Sequence, residues 1–169
     1  MITDFTELNR LMADTLKKAI PRLKTVDVMP DELADSMQTP AVFIDLESFE
    51  PGKRLSGGRN AHECAFAAYC VLSTRTKNHE AQIKNMAAAV AGKVHGQRWS
   101  LSDAVALPSR IAAMPGIFKE DAHGLACWVV TWDQTVYLGE EWAPDDELGD
   151  GFWLKGCHDH PHRLEDFPK

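Results

Sequence analysis

One stretch near the C-terminus concentrates groups able to bind a metal ion: Gly156-Cys157-His158-Asp159-His160-Pro161-His162. Cysteine thiolates and imidazoles are the usual ligands of zinc. In an extended segment His158, His160 and His162 would project to one side, about 6.6–7 Å apart. Two of them could share an ion, and a bend would add Cys157, making the chain a small metal-dependent enzyme. Against this, Pro161 interrupts any strand ladder, and neither a CxxC nor an HExxH supplies the other half of a centre. A segment rich in Asp, Gly, Pro and His also offers no rigid partners to orient the ligands. Adventitious binding or none is the simpler account, so no metal and no cofactor is assigned.

Other constellations are weaker. Cys64 with His62, and Cys127 with His123, could be imagined as nucleophile and base. Residues two apart in a strand face the same way, but Cys64 opens an apolar strand face and reads more simply as a buried structural thiol. Gly57-Gly58 before Arg59 lacks the GxxxxGK[ST] pattern of a phosphate cradle. Asp45, Glu47 and Glu50 read as the wet face of a strand rather than paired catalytic acids. Lys53, Arg54 and Arg59 form a small basic loop, either a solvated hairpin tip or an arm toward an acidic partner or DNA. Trp128 and Trp132 suit core or interface packing better than a ligand platform. No catalytic residue emerges, and the chain is read as a non-enzyme.

The elements that must position these residues follow from composition and periodicity. The chain has 169 residues, 44% hydrophobic and 25% charged, which suits one globular domain. No apolar run approaches the roughly 18 residues of a membrane span. "MITDFTELNR" has no secretory h-region, so a soluble protein made in a cytoplasm is expected. Cys64, Cys70, Cys127 and Cys157 form no CxxC pair and read as reduced thiols. The net charge of −7 is uneven: residues 140–169 carry 9 acids and 3 bases, against 16 and 15 before them. No basic stripe marks a nucleic-acid binder.

Asp4 with Glu7 predicts a capped helix. Leu8, Leu11, Met12, Leu16, Ala19 and Ile20 form its apolar stripe, and Pro21 ends it. A short strand at 25–29 and an alternating strand at 41–50 follow, the latter with Val42, Ile44 and Leu46 on one side. "PGKRLSGGRN" (51–60) predicts a long hairpin tip. The strand 62–75 is apolar on both faces, with Cys64, Phe66, Ala68, Cys70 and Leu72 on one and Ala65, Ala67, Tyr69 and Val71 on the other. Asn78 is expected to cap a second helix with Ile83, Met86, Ala87, Val90 and Val94 buried. "VALPSRIAAM" predicts a strand interrupted at Pro108. The last strand, 125–139, has Trp128, Val130, Trp132, Val136 and Leu138 on one face and Cys127, Val129, Thr131 and Tyr137 on the other. The order α-β-β-β-α-β-β predicts an α+β domain with a mostly antiparallel sheet and two main helices. Two helices can cover one sheet face, so neighbouring subunits are expected to cover the other.

The N-terminal amphipathic helix, "VDVMP", "PAVFIDLESFEP" with its glycine-bearing loop, "HECAFAAYCVLSTR" and the closing "WVVTWDQTVYLGEE" together resemble tail terminator (tail completion) proteins of tailed bacteriophages. The likeness is to the Mu-like branch, and lambda-type terminators share the same kind of fold. It covers about residues 1–142, leaving 143–169 as an acidic, His-containing extension. The resemblance implies a homohexameric ring in the neck region of the virion tail, assembled in the host cytoplasm. That ring would cap the tail-tube protein (and the sheath protein in a contractile tail), end tail elongation and receive head-completion proteins. DNA would pass through the lumen without specific binding, and no membrane is involved. By position, the 50–60 loop would be a contact arm, and Trp128, Trp132 and Tyr137 would pack in the core or between subunits. Phe152, Trp153 and Leu154 are expected to anchor the extension on a neighbouring subunit or neck protein. A different neck or head–tail connector component, and the small metal-dependent enzyme, remain as alternatives.

Overall fold

Local sequence signals place the first element, α1 (Phe5–Ala19), in the computed structural model, which describes residues 2–31, 37–53, 59–118 and 124–139. Asp4 is the N-cap, and its Oδ1 accepts the Glu7 N–H at 2.8 Å. The Glu7 carboxylate reaches back to the Thr3 N–H at 3.4 Å, one residue short of a reciprocal box. Leu8, Met12 and Leu16, spaced by four, are fully buried. Lys17 and Lys18 occupy the last turn, where they complement the helix dipole.

Five strands follow, with one helix between the third and fourth. They are β1 (Thr25–Val28), β2 (Ala41–Pro51), β3 (Asn60–Ser73), β4 (Ser109–Gly116) and β5 (Leu125–Leu138), and α2 is His79–Val94. The sheet order is β1-β2-β3-β5-β4. Only β1 and β2 pair in parallel; the other pairings are antiparallel. The protein is therefore α+β with a mostly antiparallel sheet and two helices, as its element order predicts. β3 and β5 are the spine, paired without interruption from Asn60↔Leu138 to Ser73↔Leu125.

Both helices lie on the same sheet face. Leu8, Met12 and Leu16 of α1 and Ala87, Val90 and Val94 of α2 share one core. The strands contribute Val42, Ile44, Phe66, Cys70, Val130, Trp132 and Val136 to it. Phe66 stacks on Trp132 at a centroid distance of 5.6 Å, and Trp99 tilts against Trp132 at 6.1 Å.

Two local expectations need correction. Asn78 stands at the N-cap of α2, but its backbone is left-handed (φ 54, ψ 37) and its side chain makes no capping bond. The left-handed turn carries the carboxamide away from the first-turn N–H groups. The Asn78 carbonyl takes the Ala81 and Gln82 N–H groups instead. The second concerns the other sheet face. Neighbouring subunits were expected to cover it, yet the chain covers one end of it itself. Phe118, just after β4, stacks on Phe43 at 5.2 Å and lies 6.4 Å from Tyr69. Ala41 and Val71 are buried there, with Met29, Met37, Leu125 and Cys127 packed around them.

The stretch before β4 is held by one amide. Gln134 on β5 is 2% exposed. Its Oε1 accepts Nε1–H of Trp99 at 2.8 Å and of Trp132 at 3.2 Å. Its Nε2 donates to the carbonyls of Gln97 (2.9 Å) and Ala106 (2.6 Å). An isolated bridge, Val105↔Val136, precedes Pro108, and the ladder resumes at Ser109. This is the interrupted strand that the proline predicts. β4 closes on Gly116, where a Cβ would lie 2.3 Å from Val129 Cγ2, so a side chain there would wedge the strands apart.

Candidate functional site

The sheet face opposite the helices is where the structure gathers its ionisable groups. Its far half carries Asp45, Glu47 and Glu50 from β2, Glu63 from β3 and Asp133 from β5. Strand alternation places Glu47 on the same face as Asp45, and the Tyr69 hydroxyl donates to its carboxylate. Alternation alone would send Glu50 to the helix face with Val42, Ile44 and Leu46. A register shift between Leu46 and Ser48 changes that and pairs Glu50 with Glu63 across the ladder. Thr135 Oγ1 donates to Glu63 Oε2 at 2.9 Å, and the exposed Arg110 pairs with Asp133. Ser48, Glu50, Glu63, Ala65, Arg110 and Asp133 border a shallow hollow of about 270 Å³. Burial beside Glu47 raises the Asp45 carboxyl above its ordinary value, although the Leu46 N–H, bonded to its Oδ1 at 2.9 Å, opposes the shift. Burial and the Glu47 hydrogen bond likewise raise the Tyr69 phenol.

These groups do not assemble acid–base chemistry. Among the described residues no thiol is activated. Burial pushes Cys64 and Cys70 up to about 12 and Cys127 to about 11, the reverse of what a nucleophilic thiolate needs. Cys64 Sγ donates to the His62 carbonyl at 3.6 Å rather than meeting its ring. That ring stands edge-on to Phe5 and Phe49, each 5.6 Å away, and His62 Nδ1 and Asn9 Oδ1 are buried without a hydrogen-bond partner. Among the described residues no three His, Cys, Asp or Glu converge as a metal-holding group, and no helix is long and apolar enough to cross a membrane.

The sequence-predicted residues divide as follows. Lys53 and Arg59 stand on the two sides of the stem of the β2–β3 hairpin, closed by Gly52 N–H to the Ala61 carbonyl at 2.9 Å. Lys53 is exposed and Arg59 half-buried. Trp132 is 1% exposed, so of the two roles considered for it, core and interface, it takes the core. Trp128 is half-buried against the same core, with Lys84 Nζ 6.0 Å from its ring centroid. Tyr137 is half-buried on the opposite face and its N–H bonds the Ala104 carbonyl at 2.8 Å. Arg54, Gly57, Gly58, His123, Phe152, Trp153, Leu154, Cys157, His158, His160 and His162, with the whole 143–169 extension, lie outside the described residues.

The sequence reading passed over several residues that matter. Glu63 and Asp133 have the right strand parity to join Asp45, but only the β2–β3–β5 register shows that they are neighbours. Leu107, Met114 and Ile117, along the β4 edge, are 54%, 47% and 79% exposed. Met114 and Ile117 are both apolar in sequence, and nothing local distinguishes them from core residues. β4 pairs with β5 on one side, and among the described residues no strand pairs with its outer side. No protein-family model matches the chain, and no curated protein matches it in sequence.

Proposed function

We propose that this chain is a tail terminator of a tailed bacteriophage. It is a structural subunit that forms a hexameric ring on the end of the tail tube, stops tube growth and offers the surface to which head-completion proteins attach. The observation that carries this reading is the outer edge of β4. A strand whose outer side pairs with no described strand, and which has three large apolar side chains beside it, is a ready template for a protein contact, and a ring of identical subunits repeats one such contact until it closes.

The open, acidic half of the sheet supports the same reading. Asp45, Glu47, Glu50, Glu63 and Asp133 would give a lumen wall that repels the DNA phosphates, so that DNA slides without sticking. The hairpin bearing Lys53, Arg54 and Arg59 would then reach toward the tube or, in a contractile tail, the sheath.

The test is to add the purified protein to elongating tail tubes and follow tube length by electron microscopy. A ring at one end and a fixed tube length are expected. The paired variant Met114→Lys, Ile117→Asp changes exposed positions only, so it should remain folded and lose the ring. Tubes that keep growing without a ring at their ends would overturn the proposal. A ring that survives the paired variant would remove β4 from it.

A further inference from the structure

A second concavity lies away from the acidic face, at the other end of the sheet. It is an open groove of about 370 Å³ between the end of α1, the start of β2 and the first turns of α2. Ile20, Leu23, Leu72 and Met86 form its apolar floor and Arg22 stands on its rim. That size falls within the roughly 300–1,000 Å³ of pockets that accept small ligands. No described segment of the chain fills it.

The surroundings of the groove are basic. The two segments beside it, residues 17–24 at the end of α1 and 74–80 leading into α2, carry Lys17, Lys18, Arg22, Lys24, Arg75 and Lys77 against one carboxylate, Glu80. All six bases are exposed. The remainder of the chain has the opposite character. Residues 140–169 hold 9 acids and 3 bases, a net of −6, and their one cluster of consecutive large apolar residues is Phe152-Trp153-Leu154. Asp145, Asp146, Glu147 and Asp150 precede that cluster and Asp159 follows it. Lys155 directly follows the anchor, but the segment as a whole is acidic, and it matches in chemistry and sign an apolar groove with Arg22 on its rim and five further bases in the adjoining segments.

We propose that this groove receives the Phe152-Trp153-Leu154 segment of a second copy of the chain. Reach decides between a second copy and the chain's own tail. β5 ends at Leu138, opposite Asn60, whereas the groove wall Leu72 pairs with Ala126 at the far end of β3. Asn60 to Leu72 is 72 − 60 = 12 steps along the strand, or about 40 Å at 3.3 Å per residue. Gly139 to Phe152 spans 152 − 139 = 13 steps, at most about 43 Å fully drawn out. A tail folding back onto its own groove would have to run straight along the whole sheet, whereas a neighbouring copy imposes no such stretch. Aromatic anchors seated in a partner's pocket and surrounded by charge are a common basis of specific contacts. Exchanged tails would link successive subunits of a ring independently of the β4 edge. The inference shares with the proposed function only the idea that copies meet, and it needs no tail tube.

The test uses the full chain carrying Asn85→Cys on the exposed face of α2 beside the groove and Gly151→Cys beside the anchor, in a Cys157→Ser background. Oxidation is followed on non-reducing gels at rising protein concentration. Bridges between chains, increasing with concentration, are expected. Their yield should fall several-fold with Arg22→Glu or with added salt, and further with Ala89→Trp, which fills the groove from an exposed helix position. A bridge closed within one chain at all concentrations would overturn the second-copy assignment. Absence of any bridge, or a yield indifferent to Ala89→Trp, would overturn the groove as the receptor. Because ring formation on tubes is scored separately, a negative result here leaves the tail-terminator reading to its own test.

Discussion

β3 and β5 are apolar on both sides, yet their two faces end in different environments. On one, α1 and α2 close over Phe66, Val130 and Trp132, and the core is sealed to the level of an indole with 1% exposure. On the other, the described residues extend cover over one half, through Phe118 and the Met29 and Met37 side chains. The remaining half turns acidic within two residues of that patch. Apolar composition therefore does not by itself say which face is the core. The elements available to lie on it decide, and two helices suffice for one face. A half-covered face is where a protein can afford charge, and this one has five carboxylates there.

The sharpest way to break this contrast is to remove one aromatic from each face. Trp132→Ala empties a closed site between Phe66 and Trp99 and should cost about 3–5 kcal/mol. Phe118→Ala opens its gap to solvent at a loop, so the loss is closer to transfer alone, about 2 kcal/mol. For a chain of this size each kcal/mol lowers Tm by about 2–4 °C, so thermal melts separate the two. Equal losses would mean that the second face is as much a core as the first.

Much of this fold is legible in the sequence because its signals are local. The Asp4 cap, the four-residue stripe of α1, the interruption at Pro108 and the alternation of β5 each depend on neighbours within a few positions. The misses share another cause. Gln134 occupies an inward position in an apolar strand, and its partners at 97, 99 and 106 are remote in sequence. Phe118 is one aromatic in a polar connection, and only the β4–β5 hairpin brings it over Phe43. The acidic face is legible in pieces, Asp45 and Glu47 from the alternation of one strand, but Glu63 and Asp133 join only through register, and the shift after Leu46 that turns Glu50 to the same face cannot be read from period two. As for the candidate site, the basic arm is placed only at its stem, by Lys53 and Arg59.

A smaller effect than Trp132→Ala probes how the sealed face holds its irregular edge. Gln134→Leu keeps the volume but removes both halves of the amide. It leaves the indole N–H groups of Trp99 and Trp132 and the carbonyls of Gln97 and Ala106 without that partner. A buried donor left unpaired costs about 1–3 kcal/mol, and relaxation of the 97–106 stretch recovers part of the sum, so about 2–3 kcal/mol is expected. The accompanying sign is faster hydrogen exchange at the Ala106 and Tyr137 amides, which tie that stretch to β5. If stability falls while those amides stay protected, Gln134 fills space and does not hold the stretch.

The smallest effect lies on the acidic face and depends on pH. The Asp45 carboxyl is raised above its ordinary value of 3.8, first by burial and then by the Glu47 charge, net of the opposing Leu46 N–H. A raised carboxylate means that the folded chain binds its proton more tightly than the unfolded chain does. Between the unfolded and folded values the native state carries more proton, so stability falls as pH rises through that window and stays lower above it. Asp45→Asn removes the penalty and retains an oxygen that can accept the Leu46 N–H. It should therefore leave stability unchanged below the ordinary carboxylate value and raise it at neutral pH, within the roughly 0.5 kcal/mol typical of surface positions. Urea midpoints taken on both sides of the window measure this. A fall in stability at neutral pH would mean that the Asp45 charge helps the fold, and the open face would then be an organised charge network rather than a tolerated one.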